Sequence, residues 1–130
     1  MTEQEFKDRT KQVALRVIRV VDALHSGRVA DAIARHLLRC ATSVGANYRA
    51  ACRGRSAADV IAKLCIVEEE ADETLYWLEL IVAAELMTAD RLRPLMKEVN
   101  EIVAMTVASI KTLRGRAQRI QNPESKIQNR

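Results

Sequence analysis

The sequence predicts an all-α protein, specifically an antiparallel up-down-up-down four-helix bundle. Only four glycines and two prolines interrupt the 130 residues, and both prolines, Pro94 and Pro123, come late in the chain. Apolar residues recur at spacings of three and four, which is the helical period. Aromatic residues make up only 3% of the chain, so the aromatic-rich alternation typical of strands is missing. A hydrophobic fraction of 48% is enough for the core of one domain.

The first predicted helix covers residues 3–25. Thr2 and Glu5 form a capping box of the T-x-x-E type, which is typical of a helix start. We expect the helix to end before Gly27, because glycine readily adopts the left-handed conformation that terminates helices. The stripe predicted to face the core consists of Phe6, Val13, Val17, Val20, Val21 and Leu24.

The second predicted helix covers residues 28–53, with Gly54 as its stop signal. Its predicted core stripe is Val29, Ile33, Leu37, Val44 and Tyr48. Gly45 lies inside this helix, where glycine costs about 1 kcal/mol relative to alanine. This position therefore predicts close approach of another helix.

The third predicted helix covers residues 57–86. Ser56 is its N-cap and Asp59 completes an S-x-x-D box, so the corner after Gly54 is tight and the two helices must run antiparallel. The spacing of its stripe is typical of bundle packing, and the residues are Val60, Leu64, Val67, Ala71, Leu75, Leu78 and Val82.

The fourth predicted helix covers residues 89–114, with Thr88 as its cap. Pro94 removes an intrahelical hydrogen bond unless it lies in the first turn, so we expect the regular helix to begin only at Arg93 or Pro94. Its stripe is Leu92, Leu95, Val99, Ile102, Thr106, Ile110 and Leu113. Residues 115–130 lose the stripe and repeat the letters IQN, which predicts a disordered, repeat-like tail.

The end of the third helix is apolar in every direction. Residues 74–87 contain only two charges, Glu79 and Glu85. A helix that is apolar all round must be buried all round, and a single small bundle covers only part of it. We therefore predict a homo-oligomer whose interface contains Tyr76, Trp77, Leu80 and Ile81.

Charge alternates along the chain. Residues 28–55 contain six arginines and one aspartate, whereas residues 56–87 contain eight acidic residues and one lysine. The net charge of +4 and a pI near 9.2 permit a nucleic-acid partner. The predicted binding patch consists of Arg35, Arg39, Arg49, Arg53 and Arg55, and a further basic cluster consists of Lys111, Arg114, Arg116 and Arg119. A solvated face whose arginines only form salt bridges explains the same pattern equally well.

Signals for catalysis are missing. The sequence has no glycine-rich phosphate loop, nucleophile elbow or histidine-based triad. A di-iron site needs Glu-x-x-His pairs, and neither His25 nor His36 follows a glutamate by three. We therefore expect no enzyme, no metal, no cofactor and no small-molecule substrate.

Cysteine use and hydropathy predict a cytoplasmic protein. Cys40, Cys52 and Cys65 contain no C-x-x-C pair and suit small buried side chains in a reducing compartment. The N-terminus lacks an apolar signal core, and no apolar run approaches the length of a membrane span. We accordingly expect no membrane partner.

Two segments carry a resemblance to a known family. LLRCATSVGANYRAACRGRS (Leu37 to Ser56) and EEADETLYWLELI (Glu69 to Ile81), in this order and separation, resemble the bacterial four-helix-bundle family of proteins encoded in 23S ribosomal RNA intervening sequences. The similarity spans roughly residues 8–114. It implies an antiparallel bundle assembled into a ring, typically a homopentamer, without catalytic activity. It also implies remote kinship with the accessory variability proteins of diversity-generating retroelements, which are basic pentamers that bind a reverse transcriptase and nucleic acid.

The chain departs from the family pattern at two positions of the second helix. Ala50 stands where the family often has an acidic residue, and Gly54 stands where a small helix former is usual. Loss of the acid leaves Arg49, Arg53 and Arg55 less neutralised and favours an anionic partner. The function that follows is a non-enzymatic, ring-forming protein that binds RNA or a nucleoprotein. The alternative is a protein-interaction adaptor, such as a reverse-transcriptase accessory subunit.

Overall fold

A computed structural model describes residues 1–121, which form four α-helices. These are α1 (Glu3–Ala23), α2 (Arg28–Cys52), α3 (Ala57–Ala83) and α4 (Ala89–Gln121). Each helix packs on the next, most extensively α2 on α3 and α3 on α4, and α1 closes on α4 over a smaller area. No strand occurs in the described part of the chain. The predicted all-α four-helix bundle is confirmed.

The predicted N-caps of α1 and α3 are present. The Glu5 amide donates to Thr2 Oγ1 and the Thr2 amide donates to Glu5 Oε2, both at 3.1 Å, so the capping box is complete. The Asp59 amide donates to Ser56 Oγ at 3.1 Å. The Asp59 carboxylate does not return to Ser56, because it accepts from the Arg55 amide at 3.3 Å instead.

The core stripe is continuous through all four helices, and the prediction for α4 is the most accurate. All its stripe residues from Leu92 to Ile110 are buried, and Leu113 is half-buried. Two predictions are wrong. Val29 is 62% exposed and Ala30 is buried in its place, because the buried stripe reaches back from Ile33 by three residues rather than by four. In α3 the stripe after Ala71 continues through Thr74, Leu78 and Ile81 rather than through Leu75, Leu78 and Val82.

Two predicted helix ends also differ. Helix α1 ends at Ala23 rather than at residue 25, and Gly27 is not left-handed: its φ of 172° is extended, and it serves as the N-cap of α2. Helix α3 ends at Ala83 rather than at residue 86. There, Glu85 has a positive φ of 62° and the chain turns sharply towards α4.

Helix α4 begins at Ala89, as predicted, and is longer than predicted at its other end. It is already helical before Pro94, so the expectation that the regular helix begins only at Arg93 or Pro94 is wrong. The proline ring is exposed, and it removes only one hydrogen bond near the start of the helix. The helix also continues to Gln121, so disorder beginning at residue 115 is wrong for residues 115–121, which are rich in good helix formers such as Ala117, Gln118 and Arg119. Residues 122–130 of the predicted tail lie outside the described residues.

Gly45 in α2 and Gly54 in the corner after it lie where a larger side chain would meet neighbouring atoms. A Cβ on Gly45 would lie 3.3 Å from Thr10 Oγ1 of α1, which confirms the predicted close approach of a second helix. A Cβ on Gly54 would collide with Val60 Cγ2 and lie 3.1 Å from the Ala51 carbonyl oxygen. The close α1–α2 crossing and the tight α2–α3 corner therefore both depend on glycine.

Candidate nucleic-acid interface

Helix α2 presents arginines along its outer face. At 100° per residue, Arg35, Arg49 and Arg53 fall within about 40° of one another, and they span about 27 Å along the axis. All five predicted arginines are exposed. The sequence prediction that α2 carries a basic face is thus consistent with their placement.

Arg39 differs from the other arginines because it is paired. Its Nη2 atom lies 2.8 Å from Glu73 Oε2 and its Nη1 atom lies 3.3 Å from Glu70 Oε1, both on α3. The hydrogen bond from Arg39, followed by one from Trp77, lowers the pKa of Glu73. Two carboxylates therefore neutralise Arg39, and its role is to join α2 to α3 rather than to extend the basic face.

Within the described part of the chain, the remaining arginines of the predicted patch have no such partners. In residues 1–121, no carboxylate lies within 4.0 Å of the guanidinium of Arg35, Arg49 or Arg53. The same holds for Arg55, whose backbone amide rather than its side chain contacts Asp59. Charges left unpaired on a rigid helix are available to an anionic ligand.

A groove between α1 and α2 adds two lysines that the sequence prediction missed. Lys7 and Lys11 of α1 line it opposite Arg49 of α2. Its other lining residues are small or polar, namely Gln4, Asp8, Thr10, Ala14, Thr42, Gly45 and Ala46. The glycine at position 45 was the available signal, because a close helix crossing brings the side chains flanking it together. Lys7 keeps one loose partner, Glu3 Oε2 at 3.8 Å.

The predicted oligomer interface divides into exposed and buried residues. Tyr76 is 53% exposed, whereas Trp77 and Leu80 are half-buried. Ile81 is fully buried within its own chain, so its assignment to the interface is wrong. The reason is the shifted stripe of α3, which turns Ile81 inward.

Three rings form an aromatic patch on the α2–α3 surface, consisting of His36, Tyr76 and Trp77. The His36 and Trp77 rings stack with centroids 4.7 Å apart, and Tyr76 packs edge-on to Trp77 at 5.3 Å. The Trp77 indole donates to Glu73 Oε1 at 3.2 Å. The patch is thereby held rigidly beside the Arg39 ion pairs while the Tyr76 ring faces solvent.

The cysteines and the possible metal ligands form no further site in the described residues. Cys40 is buried, accepts a hydrogen bond from the Thr74 hydroxyl at 3.3 Å, and has a pKa raised by burial. Within residues 1–121, no three His, Cys, Asp or Glu side chains gather in a way that could hold a metal ion. None of the four helices has an apolar stretch long enough for a membrane crossing.

Comparison with known proteins supports the family resemblance. Residues 2–108 match the family model of the 23S rRNA-intervening sequence protein. A crystal structure from Bacteroides thetaiotaomicron, of a protein with unknown function from the S23 ribosomal protein family, is similar with a TM-score of 0.79 and 33% identity. The similarity covers 85% of this chain and 99% of that one. No curated protein matches the chain. Kinship with the retroelement accessory proteins stays a prediction. Because the family model matches most of its length, the chain belongs to the 23S rRNA-intervening sequence protein family.

Proposed function

We propose that this protein is a non-enzymatic helical bundle that binds RNA through a basic surface of α1 and α2. The surface consists of Lys7, Lys11, Arg35, Arg49, Arg53 and Arg55. One observation carries the proposal: Arg35 and Arg49 of α2 and Arg53 at its C-cap share one face, and none of them pairs with a carboxylate of residues 1–121, whereas nearby Arg39 is neutralised by α3. The family's description, which refers to an intervening sequence of 23S rRNA, favours RNA as the anion.

The chemistry of the surface suits phosphate rather than bases. Guanidinium groups bind phosphate oxygens in a bidentate manner, and lysines add point charges. The two rings nearest this surface, Phe6 and Tyr48, pack on each other with centroids 4.4 Å apart and are not free to stack on bases. We therefore propose backbone contacts as the main source of affinity.

We further propose that the protein forms a homo-oligomer, with the pentamer implied by the family resemblance as its expected size. The exposed Tyr76 ring and the half-buried Trp77 and Leu80 support an interface on α3. A ring would repeat the basic surface around its circumference, and several linked sites bind an extended RNA more tightly than one.

A salt titration of RNA binding tests the proposed surface. We expect a fluorescently labelled structured RNA to bind at low salt, with affinity falling steeply as salt rises. The triple variant Arg49→Ala, Arg53→Ala, Arg55→Ala should bind more weakly and lower the salt slope by about one for each phosphate that is no longer bound. Anisotropy measured from about 50 to 200 mM salt gives both quantities.

A second triple variant is the matched control. Arg19 of α1 and Arg91 and Lys97 of α4 are exposed basic residues towards the opposite end of the bundle and outside the basic face of α2, so replacing them with alanine removes the same charge. This control should bind nearly as well as the wild type. Undetectable binding at low salt, or an equal loss in both triple variants, would refute the proposed surface. The adaptor alternative instead predicts a protein partner whose binding survives the Arg49, Arg53 and Arg55 substitutions.

A further inference from the structure

An open apolar cleft lies at the end of the bundle where α1 and α3 begin and α2 ends. Its apolar lining includes Phe6, Tyr48, Val60, Leu64, Met105 and Leu113, so all four helices contribute. The cleft has a volume of about 670 Å³, which is room for several side chains. It lies on the inner side of the bundle end and is distinct from the α1–α2 groove that carries the proposed RNA surface.

Helix α4 runs along the edge of this cleft and continues beyond it, and its residues 113–121 are called the overhang. Its core stripe continues at the same spacing of three and four through Ile110, Leu113, Ala117 and Ile120. Ile110 is 3% exposed, whereas Ile120 is 76% exposed. The stripe therefore leaves the bundle with its apolar side uncovered in the described structure. From Thr106 to Ile120 the cleft wall and the overhang run for about 21 Å, the length of a helix of about 14 residues.

The charge around this surface has one dominant sign. From Ile102 to Gln121, α4 carries no carboxylate but has four basic residues, namely Lys111, Arg114, Arg116 and Arg119. Arg116 lies directly on the cleft, where Glu3 is the one acidic lining residue. A ligand that fills this surface must therefore combine apolar groups with negative charge.

We propose that the cleft and the overhang bind an amphipathic α-helix of an acidic partner protein. The stripe of α4 has the spacing that a second helix matches with apolar side chains at i, i+3, i+4 and i+7. Acidic residues flanking the apolar face of that helix would meet Arg116 and Arg119. A second copy fits less well, because pairing two overhangs brings their six arginines together. RNA also fits less well, since phosphates gain nothing from Leu113 and Ile120.

Binding of a designed peptide to the full chain tests this site. The probe is a labelled, capped peptide of about 14 residues with leucines on one helical face and glutamates elsewhere. We expect it to bind, and we expect a peptide of the same composition with the leucines dispersed around the helix to bind about tenfold more weakly. A peptide with lysines in place of the glutamates should not bind at low salt.

Two exposed positions supply the variant and its control. Ile120→Asp should weaken peptide binding about tenfold, since it places a charge in the apolar stripe and adds an acid facing the acidic peptide. Val29→Asp introduces the same change at the opposite end of the bundle, where Val29 is 62% exposed, and should leave peptide binding unchanged. Circular dichroism should show that both variants keep the wild-type helix content.

Several results would overturn the proposal. If the peptide with dispersed leucines bound equally well, the interaction would depend on charge alone. If Ile120→Asp bound the peptide as tightly as the wild type, the overhang would not be part of the site. Wild-type self-association that Ile120→Asp abolishes would assign the surface to a second copy of the chain. RNA binding that depends on Ile120 would assign it to nucleic acid. Peptide binding that persists in the Arg49, Arg53 and Arg55 triple variant would support the proposal whether or not the RNA surface proves correct.

Discussion

At the scale of single residues, Glu85 has the least favourable backbone conformation in the described chain. It is the one non-glycine residue between positions 1 and 121 with a positive φ, 62°. The conformation is required by the end of α3, where the Leu86 amide donates to the Ile81 carbonyl and the Glu85 amide donates to the Val82 carbonyl, both at 3.0 Å. This is the Schellman arrangement, in which glycine is the usual residue. A side chain here costs roughly 1 to 2 kcal/mol.

Replacing Glu85 with glycine should therefore stabilise the protein. We expect Glu85→Gly to raise the free energy of unfolding by about 1 kcal/mol, because glycine adopts the left-handed conformation without steric cost. Glu79→Gly, which places glycine inside α3, should lower it by about 1 kcal/mol and is the matched control. Urea denaturation measures both values. A destabilised Glu85→Gly protein would show that the Glu85 side chain contributes more than its conformation costs.

At the scale of helices, ion pairs connect two pairs of helices, one with an extensive apolar contact and one with a small contact. Arg39 of α2 pairs with Glu70 and Glu73 of α3, where the apolar contact is already extensive. Arg9 of α1 pairs with Glu98 and Glu101 of α4, where the two helices touch over a small area. The ion pairs therefore supplement the α2–α3 contact but form a large part of the α1–α4 contact.

The Arg39–Glu73 pair makes stability depend on pH with a definite sign. Hydrogen bonds from Arg39 and Trp77 lower the pKa of Glu73 in the folded protein, so its contribution is present at neutral pH. That contribution is lost as the pH falls through the lowered pKa, because the carboxylate must then be protonated. Wild-type protein should be more stable than Glu73→Gln at pH 7, and the difference should vanish in acid. The effect is small because the Glu73 side chain is 36% exposed.

Thermal unfolding as a function of pH measures this difference. Glu69→Gln is the control, since Glu69 is exposed and has no ion pair in the described residues. Its stability should follow the wild-type pH profile. If the unfolding temperature of Glu73→Gln differed from that of the wild type by the same amount at every pH from 7 down to acid, Glu73 would not titrate with a lowered pKa.

At the scale of the whole molecule, the aromatic patch connects the fold to the proposed assembly. Tyr76 is exposed in the single chain, so changing it leaves the core intact. We expect the wild type to sediment as an oligomer and Tyr76→Asp to sediment as a smaller species with unchanged helix content. Ile18→Asp, a change at another exposed apolar residue on α1, should keep the wild-type size. A wild type that sediments as a monomer would refute the proposed ring.

The sequence predicted the helices better than it predicted the candidate sites. Caps are local, so Thr2 with Glu5 and Ser56 with the Asp59 amide could be recognised within four residues. The register of α3 was harder to predict because its apolar residues surround the helix, and Leu75 and Thr74 compete for the same stripe. That ambiguity also misplaced Ile81. The tail prediction is wrong at residues 115–121 because α4 continues beyond the bundle core on its own backbone hydrogen bonds and good helix formers.

The sequence alone determined the all-α class, the four helices, the tight corner at Gly54 and the basic character of α2. These follow from interactions between residues close in the chain, namely caps, turn chemistry and the period of apolar residues. Only the tertiary structure decided that Arg39 is neutralised by Glu70 and Glu73, that Lys7 and Lys11 lie beside Arg49, and that the α4 stripe passes an open cleft. Each of these brings together helices that are distant in the chain or fixes their relative rotation. Packing sets that rotation, and no local pattern specifies it.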